Sequence, residues 1–248
     1  IIDGISSWWV TAHGHNHPRI MAAIRAQTEK LDQVIFAGFT HRPAETLAAE
    51  LIRIAPPGLS HVFYSDSGST AVEVALKMAL GFWHNTGAAR TRVIALEHAY
   101  HGDTIGTMAA GARGVFNAPY DPLLFEVARL PFCGDSAATL TALEREAPHA
   151  AALIVEPLLL GAGGMLMYGP DLLRAMKAVC ERHGTLFIAD EVLTGFGRTG
   201  TLFACEQAGI TPDLLCLAKG LTGGALPLAA TLATQAIFDA HYSTDRRK

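Results

Sequence analysis

The chain has 248 residues, of which 50% are hydrophobic and 17% are charged, and its formal net charge is −4. This composition excludes intrinsic disorder, because enough apolar side chains are present to bury a core. The slightly acidic balance, interrupted only by the basic run at 246–248, excludes an extended nucleic-acid-binding surface. The most apolar stretch, 151–168, contains Glu156, Pro157 and several glycines, which is not the pattern of a membrane span.

The four cysteines lie at positions 133, 180, 205 and 216, and no two of them have the CxxC spacing. This spacing indicates neither a zinc site nor a disulfide framework, and we expect reduced thiols in a cytoplasmic protein. The chain starts with Ile1 and ends in a polar run at 243–248. We therefore expect it to be a piece of a longer protein, cut at both ends.

Helical and strand patterns alternate along the chain, which favours an α/β fold. Helices are predicted to start at Pro18 and Pro43 and to cover 70–83 and 171–182, the last ended by Gly184. Seven short apolar runs predict strands, at 61–65, 92–97, 125–130, 151–156, 185–190, 214–218 and 228–234. Most of these runs are continuously apolar, as in a mostly parallel sheet that is covered by helices on both faces.

Polar residues follow five of the predicted strands. They are the run 66–70, the run 98–102, Glu156, Asp190 and Lys219. In open α/β sheets, ligands bind beyond the carboxyl ends of the strands. We therefore expect these residues to meet at one functional edge of the sheet.

Lys219 and Asp190 are the two candidates for catalysis. Lys219 directly follows an apolar strand, and an amine that loses hydration there has a lowered pKa and can form a Schiff base. The alternative is a lysine that extends into solvent. Asp190 also ends an apolar strand, and a pyridinium nitrogen would be a suitable partner for its buried charge. The alternative is a helix cap or an ion pair with a residue such as Arg198.

The run from Ser67 to Thr70 precedes a predicted helix. Thr70 and Glu73 fit a capping box, and glycine followed by hydroxyls at a helix start can also bind an anion through backbone N–H groups. A simple helix start explains the same run. A GxGxxG dinucleotide fingerprint does not follow the first strand, and the run 161–164 comes too late to provide one, which argues against a nucleotide-binding Rossmann protein.

Two aromatic or histidine-rich runs complete the set of candidates. Tyr100 and His101 could stack on a planar ring, or could form an ordinary surface loop. The run 13–17 contains three histidines but no carboxylate or cysteine, so we predict a loop and helix cap rather than a metal site. Adjacent Trp8 and Trp9 point in different directions, so one could pack in the core and the other could form a pocket wall.

The order of these motifs resembles the class III (subgroup II) PLP-dependent aminotransferases over almost the whole chain. The resemblance rests on the runs 186–200, 212–213 and 218–224, together with 67–73, 100–103 and 156–157. Within that family, the runs 3–9, 13–18, 163–168 and 202–206 are similar to the branch that serves biotin synthesis. The resemblance implies the PLP-dependent transferase fold of type I, with pyridoxal 5′-phosphate (PLP) as cofactor.

The resemblance also implies a role for each matching residue. Lys219 would be the Schiff-base lysine and would carry the proton in catalysis, and Asp190 would pair with the pyridine nitrogen. Gly68 and Ser69 would bind the cofactor phosphate. Tyr100 would stack on the cofactor and border the substrate. Trp8 would line the pocket for an aliphatic keto substrate. Glu156 and His101 would support the residues that touch the cofactor.

The implied reaction is a transamination that converts 8-amino-7-oxononanoate to 7,8-diaminononanoate, with adenosylmethionine as the default amino donor. Residues 1–40 would border the site and the small domain, and residues 41–248 would form the large, PLP-binding domain. The partners would be small-molecule substrates and a second copy in a homodimer with shared active sites, without nucleic acid or membrane. Two alternatives stay open: another class III ω-aminotransferase, and a non-catalytic PLP-binding regulator.

Overall fold

A computed structural model describes residues 1–132 and 136–245 of the chain. Within these residues, seven strands form one sheet and two short strands form a separate hairpin. The strands of the large sheet are β1 (Leu59–Ser65), β2 (Arg92–Leu96), β3 (Val127–Leu130), β4 (Ala150–Val155), β7 (Leu186–Asp190), β8 (Leu214–Leu217) and β9 (Ala229–Thr234). The hairpin consists of β5 (Leu159–Leu160) and β6 (Leu166–Met167). All seven predicted strands are confirmed, each with ends within two residues of the predicted ones.

The large sheet has the strand order β1-β9-β8-β7-β4-β2-β3. The pairs β8–β7, β7–β4, β4–β2 and β2–β3 are parallel, whereas β9 is antiparallel to both of its neighbours, β1 and β8. The carboxyl ends of the other six strands of this sheet therefore meet at one edge. The predicted α/β class with a mostly parallel seven-stranded sheet is confirmed.

Helices cover both faces of the sheet, because successive strand residues point alternately to the two sides. In β2, Val93 and Ala95 pack with α4, whereas Ile94 and Leu96 pack in the core on the opposite face. The helices among the described residues are α1 (Ser6–Trp9), α2 (Pro18–Thr28), α3 (Arg42–Ile54), α4 (Gly68–Asn85), α5 (Ile105–Ala110), α6 (Ser136–Glu146), α7 (Pro170–His183), α8 (Cys205–Ala208) and α9 (Gln235–His241). Shorter 3-10 turns cover Ala118–Leu123, Ala147–His149 and Lys219–Leu221.

The local signals at the helix ends explain most of these bounds. Pro18 and Pro43 lie in the first turn of α2 and α3, where the missing N–H of proline costs no hydrogen bond. Gly184 ends α7 in the left-handed conformation, with φ at 68°. No helix in the described ranges is both long enough and apolar enough to cross a membrane.

The cysteines that the structure describes are Cys180, Cys205 and Cys216, and all three are buried free thiols. Burial raises their pKa above the ordinary value, so they are poor nucleophiles. Cys133 and the basic run 246–248 lie outside the described residues.

Candidate active site

A cleft of about 820 Å³ opens beyond the carboxyl ends of the strands. It is lined by residues from six loops that are far apart in the sequence, as expected for a site at the switch region of an α/β sheet. Every candidate residue predicted from the sequence lies on its wall, namely Trp8, Gly68, Ser69, Tyr100, His101, Glu156, Asp190 and Lys219. The fold therefore brings together side chains that are up to 211 positions apart, from Trp8 to Lys219.

Lys219 begins a 3-10 turn directly after β8 and is half-buried. Its φ of 35° is in the left-handed region, where a residue with a side chain stores on the order of 1–3 kcal/mol of strain. Burial lowers the pKa of its amine, and the charge of Arg198 acts in the same direction, against the carboxylates of Asp190 and Glu156. The amine faces the cleft wall and is not a freely solvated lysine.

Asp190 is the last residue of β7 and is only 4% exposed. Its Oδ2 lies 2.7 Å from Nδ1 of His101, and its Oδ1 accepts a hydrogen bond of 3.2 Å from the Val192 N–H. An ionised carboxylate at this depth needs such donors. The alternative of an ion pair with Arg198 is wrong, because that guanidinium donates to backbone carbonyls of Leu193 and Trp9 at 2.6 Å each.

The N-terminus of α4 points into the cleft. Ser67 is the N-cap, and its hydroxyl accepts a hydrogen bond from the Thr70 N–H, while the Thr70 hydroxyl accepts from the Ser67 N–H. The N–H groups of Gly68 and Ser69 have no hydrogen-bond partner among the described residues. Together with the helix dipole, these free donors form an anion-binding position.

The predicted capping box is wrong by three residues. Ser67 and Thr70 form it, not Thr70 and Glu73, because Ser67 precedes the first helical residue and its extended backbone suits a cap. Glu73 lies one turn inside α4, and its carboxylate accepts a hydrogen bond of 2.7 Å from the Gly106 N–H at the start of α5. Its acidic side chain therefore caps a neighbouring helix instead of its own.

Tyr100 and Glu156 form a second polar group on the wall. The Tyr100 hydroxyl donates to Asp103 at 3.0 Å, and burial together with that carboxylate raises the pKa of the phenol to about 12. Glu156 is 4% exposed and accepts hydrogen bonds from the N–H groups of Tyr100 and Gly161. Burial raises the pKa of Glu156 to about 7, although the neighbouring His101 opposes the shift.

Both tryptophans line the cleft, so the expectation that one of them packs in the core is wrong. Residues 6–9 all have positive φ, between 49° and 66°, so this segment forms a left-handed turn. Trp8 is 67% exposed, and its ring meets that of Trp9 edge to face. Trp9 is the ring nearer the amine, with its centre 6.0 Å from Lys219 Nζ. Nothing in the sequence separates the two adjacent tryptophans.

The histidine run forms the loop before α2. His17 occupies the N-cap position of α2, and His15 Nε2 lies 2.7 Å from an oxygen of Asp3 on the surface. The described residues contain no group of three His, Cys, Asp or Glu side chains arranged to hold a metal ion.

The cleft has the features that a flat, phosphorylated pyridine aldehyde requires. An amine of lowered pKa can condense with the aldehyde, a buried carboxylate can pair with the ring nitrogen, and free helix N–H groups can bind the phosphate. A Cβ on Gly68 would lie 2.7 Å from the Val192 side chain, so the helix start and the Asp190 loop are packed as closely as glycine allows. The residues present therefore fit PLP.

The chain belongs to the class-III aminotransferase family, whose model matches residues 1–246. It is 55% identical over 251 aligned residues to the adenosylmethionine-8-amino-7-oxononanoate aminotransferase of Synechococcus elongatus. The alignment covers 96% of this chain and 59% of that protein. The enzyme of the same name from Nitratidesulfovibrio vulgaris is 48% identical, over 96% of this chain and 47% of its own length. The chain thus spans about half the length of these curated relatives.

Solved transaminase structures share the fold of this chain, as the predicted PLP-dependent transferase fold of type I requires. The crystal structure of the adenosylmethionine-8-amino-7-oxononanoate aminotransferase from Methanocaldococcus jannaschii superposes with a TM-score of 0.93 at 36% identity, over 97% of this chain and 57% of that one. An amine transaminase from an uncultivated Pseudomonas species, in its PLP-bound form, superposes with a TM-score of 0.92 at 39% identity, over 97% and 59%.

Proposed function

We propose that this chain carries the PLP site of a transaminase that converts 8-amino-7-oxononanoate to 7,8-diaminononanoate in biotin biosynthesis, with adenosylmethionine as amino donor. The observation that carries the proposal is one cleft that contains the half-buried amine of Lys219, the buried carboxylate of Asp190 and the free N-terminus of α4. The names of the relatives at 55% and 48% identity support the substrate and the donor.

When bound, PLP supplies an aldehyde that captures amino groups and a ring that draws electrons from the C–H bond of the substrate carbon that carries the amino group. Lys219 would hold the cofactor and then, as a free amine of lowered pKa, take and return the proton of that C–H bond. Asp190 would keep the ring nitrogen protonated, and His101 would orient the Asp190 carboxylate through its 2.7 Å contact. Gly68 and Ser69 would bind the phosphate.

The aromatic residues would select the substrate. Tyr100 would stack on the cofactor ring and border the substrate, and Trp8 would provide an apolar wall for the aliphatic chain of the keto substrate. Trp9 contributes to the same wall, nearer to Lys219. An apolar chain gains affinity from such walls, because its contact area is removed from water.

The experiment that tests this proposal uses the full-length protein with PLP and 8-amino-7-oxononanoate. Adenosylmethionine and lysine are offered separately as donors, and mass spectrometry detects 7,8-diaminononanoate. We expect product with adenosylmethionine. Product with lysine alone would show that lysine, not adenosylmethionine, is the amino donor. Bound PLP without turnover for any donor would favour the non-catalytic regulator.

The second candidate is an ω-aminotransferase acting on a diamine or an ω-amino acid, and the structural match to an amine transaminase at 39% identity favours it. Trp8→Ala separates the two candidates. If Trp8 binds the keto substrate, the variant raises its KM by roughly tenfold or more, since an aromatic contact in a pocket is worth about 2 kcal/mol. Unchanged kinetics with the keto substrate, and turnover of a diamine instead, would favour the second candidate.

The surroundings of the site are part of the same proposal. Residues 1–40 would border the active site, residues 41–248 would form the large domain, and two copies would form a homodimer with shared sites in the cytoplasm. The exposed side chains of Val115 and Phe116, beside the cleft, supply apolar surface for such a partner. Sedimentation of the full-length protein tests the dimer, and a monomer with full turnover would contradict shared sites.

A further inference from the structure

Glu156 connects two loops of the cleft wall through its two carboxylate oxygens. Oε1 accepts a hydrogen bond of 3.0 Å from the Tyr100 N–H, and Oε2 accepts one of 2.9 Å from the Gly161 N–H. The first loop follows β2 and the second joins β5 to β6, and 61 positions separate the two donors. Each of the two oxygens therefore accepts one backbone N–H bond, and each bond comes from a different loop.

Hydrogen bonds from Tyr168 hold the backbone of Glu156 and of Leu158 in place. The hydroxyl of Tyr168 donates to the Glu156 carbonyl at 2.8 Å, and the Tyr168 N–H donates to the Leu158 carbonyl at 3.1 Å. Close packing fixes the two loops to each other as well, because a Cβ on Gly163 would lie only 2.0 Å from the carbonyl oxygen of His98. The carboxylate therefore extends from a rigid base.

The loop between β2 and α5 is held in its middle by the hydrogen bond from the Tyr100 N–H to Glu156. Its backbone is irregular, with positive φ at His98 (65°) and Gly102 (130°), so no strand or helix ladder fixes it between β2 and α5. The Tyr100 N–H donates to Glu156, and the phenol at the other end of the residue donates to Asp103. These two bonds hold the backbone and the phenol of Tyr100 itself, whereas its neighbours are held separately, His101 by Asp190 and the Asp103 N–H by the Ser69 hydroxyl.

We propose that Glu156 is a positioning residue, which holds the backbone of Tyr100 against the Gly161 loop and thereby sets the position of the Tyr100 ring in the cleft. The proposal rests on the proposed function, in which that ring stacks on the cofactor and borders the substrate. It extends that function, because Glu156 acts through Tyr100 and does not itself touch substrate.

A double-mutant cycle in the full-length holoenzyme tests the proposal. Glu156→Gln keeps one acceptor but turns an amide N–H₂ toward the other donor, and we expect kcat/KM to fall about tenfold, because one of the two backbone N–H groups then loses its acceptor. In a Tyr100→Ala background, the same change should cost less than threefold, because the ring that Glu156 positions is gone. Equal losses in both backgrounds would overturn the proposal.

Glu191 provides the matched control. It is a fully buried carboxylate that also accepts two backbone N–H bonds, from Ala204 and Cys205, but it does not line the cleft. Glu191→Gln should lower the melting temperature, and its effect should be the same with and without the Tyr100 side chain. Strong coupling between Glu191 and Tyr100 would indicate a general loss of packing and would contradict a specific role for Glu156.

Hydrogen–deuterium exchange supplies a readout that is independent of activity. In the protein without cofactor, Glu156→Gln should speed amide exchange in the peptides that contain Tyr100 and Gly161, and leave the peptide with Ala204 and Cys205 unchanged. Unchanged exchange at Tyr100 would refute the anchor. Faster exchange in a protein without transaminase turnover would leave the anchor intact and reject the proposed function instead.

Discussion

Lys219 combines two properties that a nucleophilic amine requires, partial burial and a lowered pKa. We expect borohydride reduction of the full-length protein with bound PLP to attach the cofactor to the peptide that contains Lys219. Lys177 is the matched control, because it is also buried but lies 3.2 Å from Asp213 in an ion pair. Mass spectrometry locates the label, and attachment at Lys177 would reject the assignment.

Asp190 is the second residue at this scale. Asp190→Asn removes the charge that would keep the ring nitrogen protonated, and we expect kcat to fall on the order of a hundredfold, or about 3 kcal/mol in activation free energy. Asp213→Asn is the control, since that carboxylate accepts the Phe187 N–H and the Lys177 amine away from the cleft. It should reduce stability but not kcat. Near wild-type turnover in Asp190→Asn would make Asp190 a structural residue.

The sequence predicted the positions of Lys219 and Asp190 because each lies at the carboxyl end of a buried strand, and the carboxyl ends of parallel strands meet at one edge. It could not predict the partner of Asp190. His101 lies 89 positions away on a loop whose course depends on tertiary contacts, so its 2.7 Å approach has no local signal. The two bonds of Glu156 were missed for the same reason.

At the scale of elements, α4 joins the core to the anion position. We expect Ser67→Ala to lower the free energy of unfolding by about 1 kcal/mol, because the Thr70 N–H loses its acceptor. It should also weaken the binding of PLP to the protein without cofactor, since the first turn frays. Thr86→Ala at the other end of α4 is the control, because its hydroxyl donates only to nearby carbonyls.

Urea unfolding and a titration with PLP measure the two effects. Thr86→Ala should change stability alone. An equal loss of PLP affinity in both variants would contradict phosphate binding at the start of α4.

The start of α4 also marks a limit of sequence analysis. Ser67 and Thr70 are both good caps three residues apart, and only the extended backbone of Ser67 decides between them.

For the molecule as a whole, the raised pKa of Glu156 makes stability depend on pH. The folded state binds this proton up to about pH 7, whereas an unfolded glutamic acid releases it near pH 4.3. The contribution of Glu156 is therefore fully present below about pH 4.3 and is lost as the pH rises through 7, by up to roughly 4 kcal/mol. Urea unfolding from pH 5 to pH 8 should show a shallower pH dependence in Glu156→Gln, and identical slopes would contradict the shift.

The predicted class of the whole fold is confirmed, because continuously apolar strands that alternate with helices allow few other arrangements. The order of the strands was beyond sequence analysis. The last strand, β9, inserts between β1 and β8 and pairs antiparallel with both, although every strand run has a similar apolar pattern. Long-range pairing of this kind leaves no periodic trace in the sequence.

The late position of β9 has a consequence for synthesis on the ribosome. Strand β1 pairs only with β9 among the described strands, and Tyr64 is opposite Ala230. Roughly 165 further residues must be translated before that pair can form, which takes on the order of 8–30 s at about 5–20 residues per second. Throughout that interval, one edge of the nascent chain exposes unpaired backbone groups that can join another chain. We therefore expect β1 to be exposed to pairing with other chains until β9 has been made.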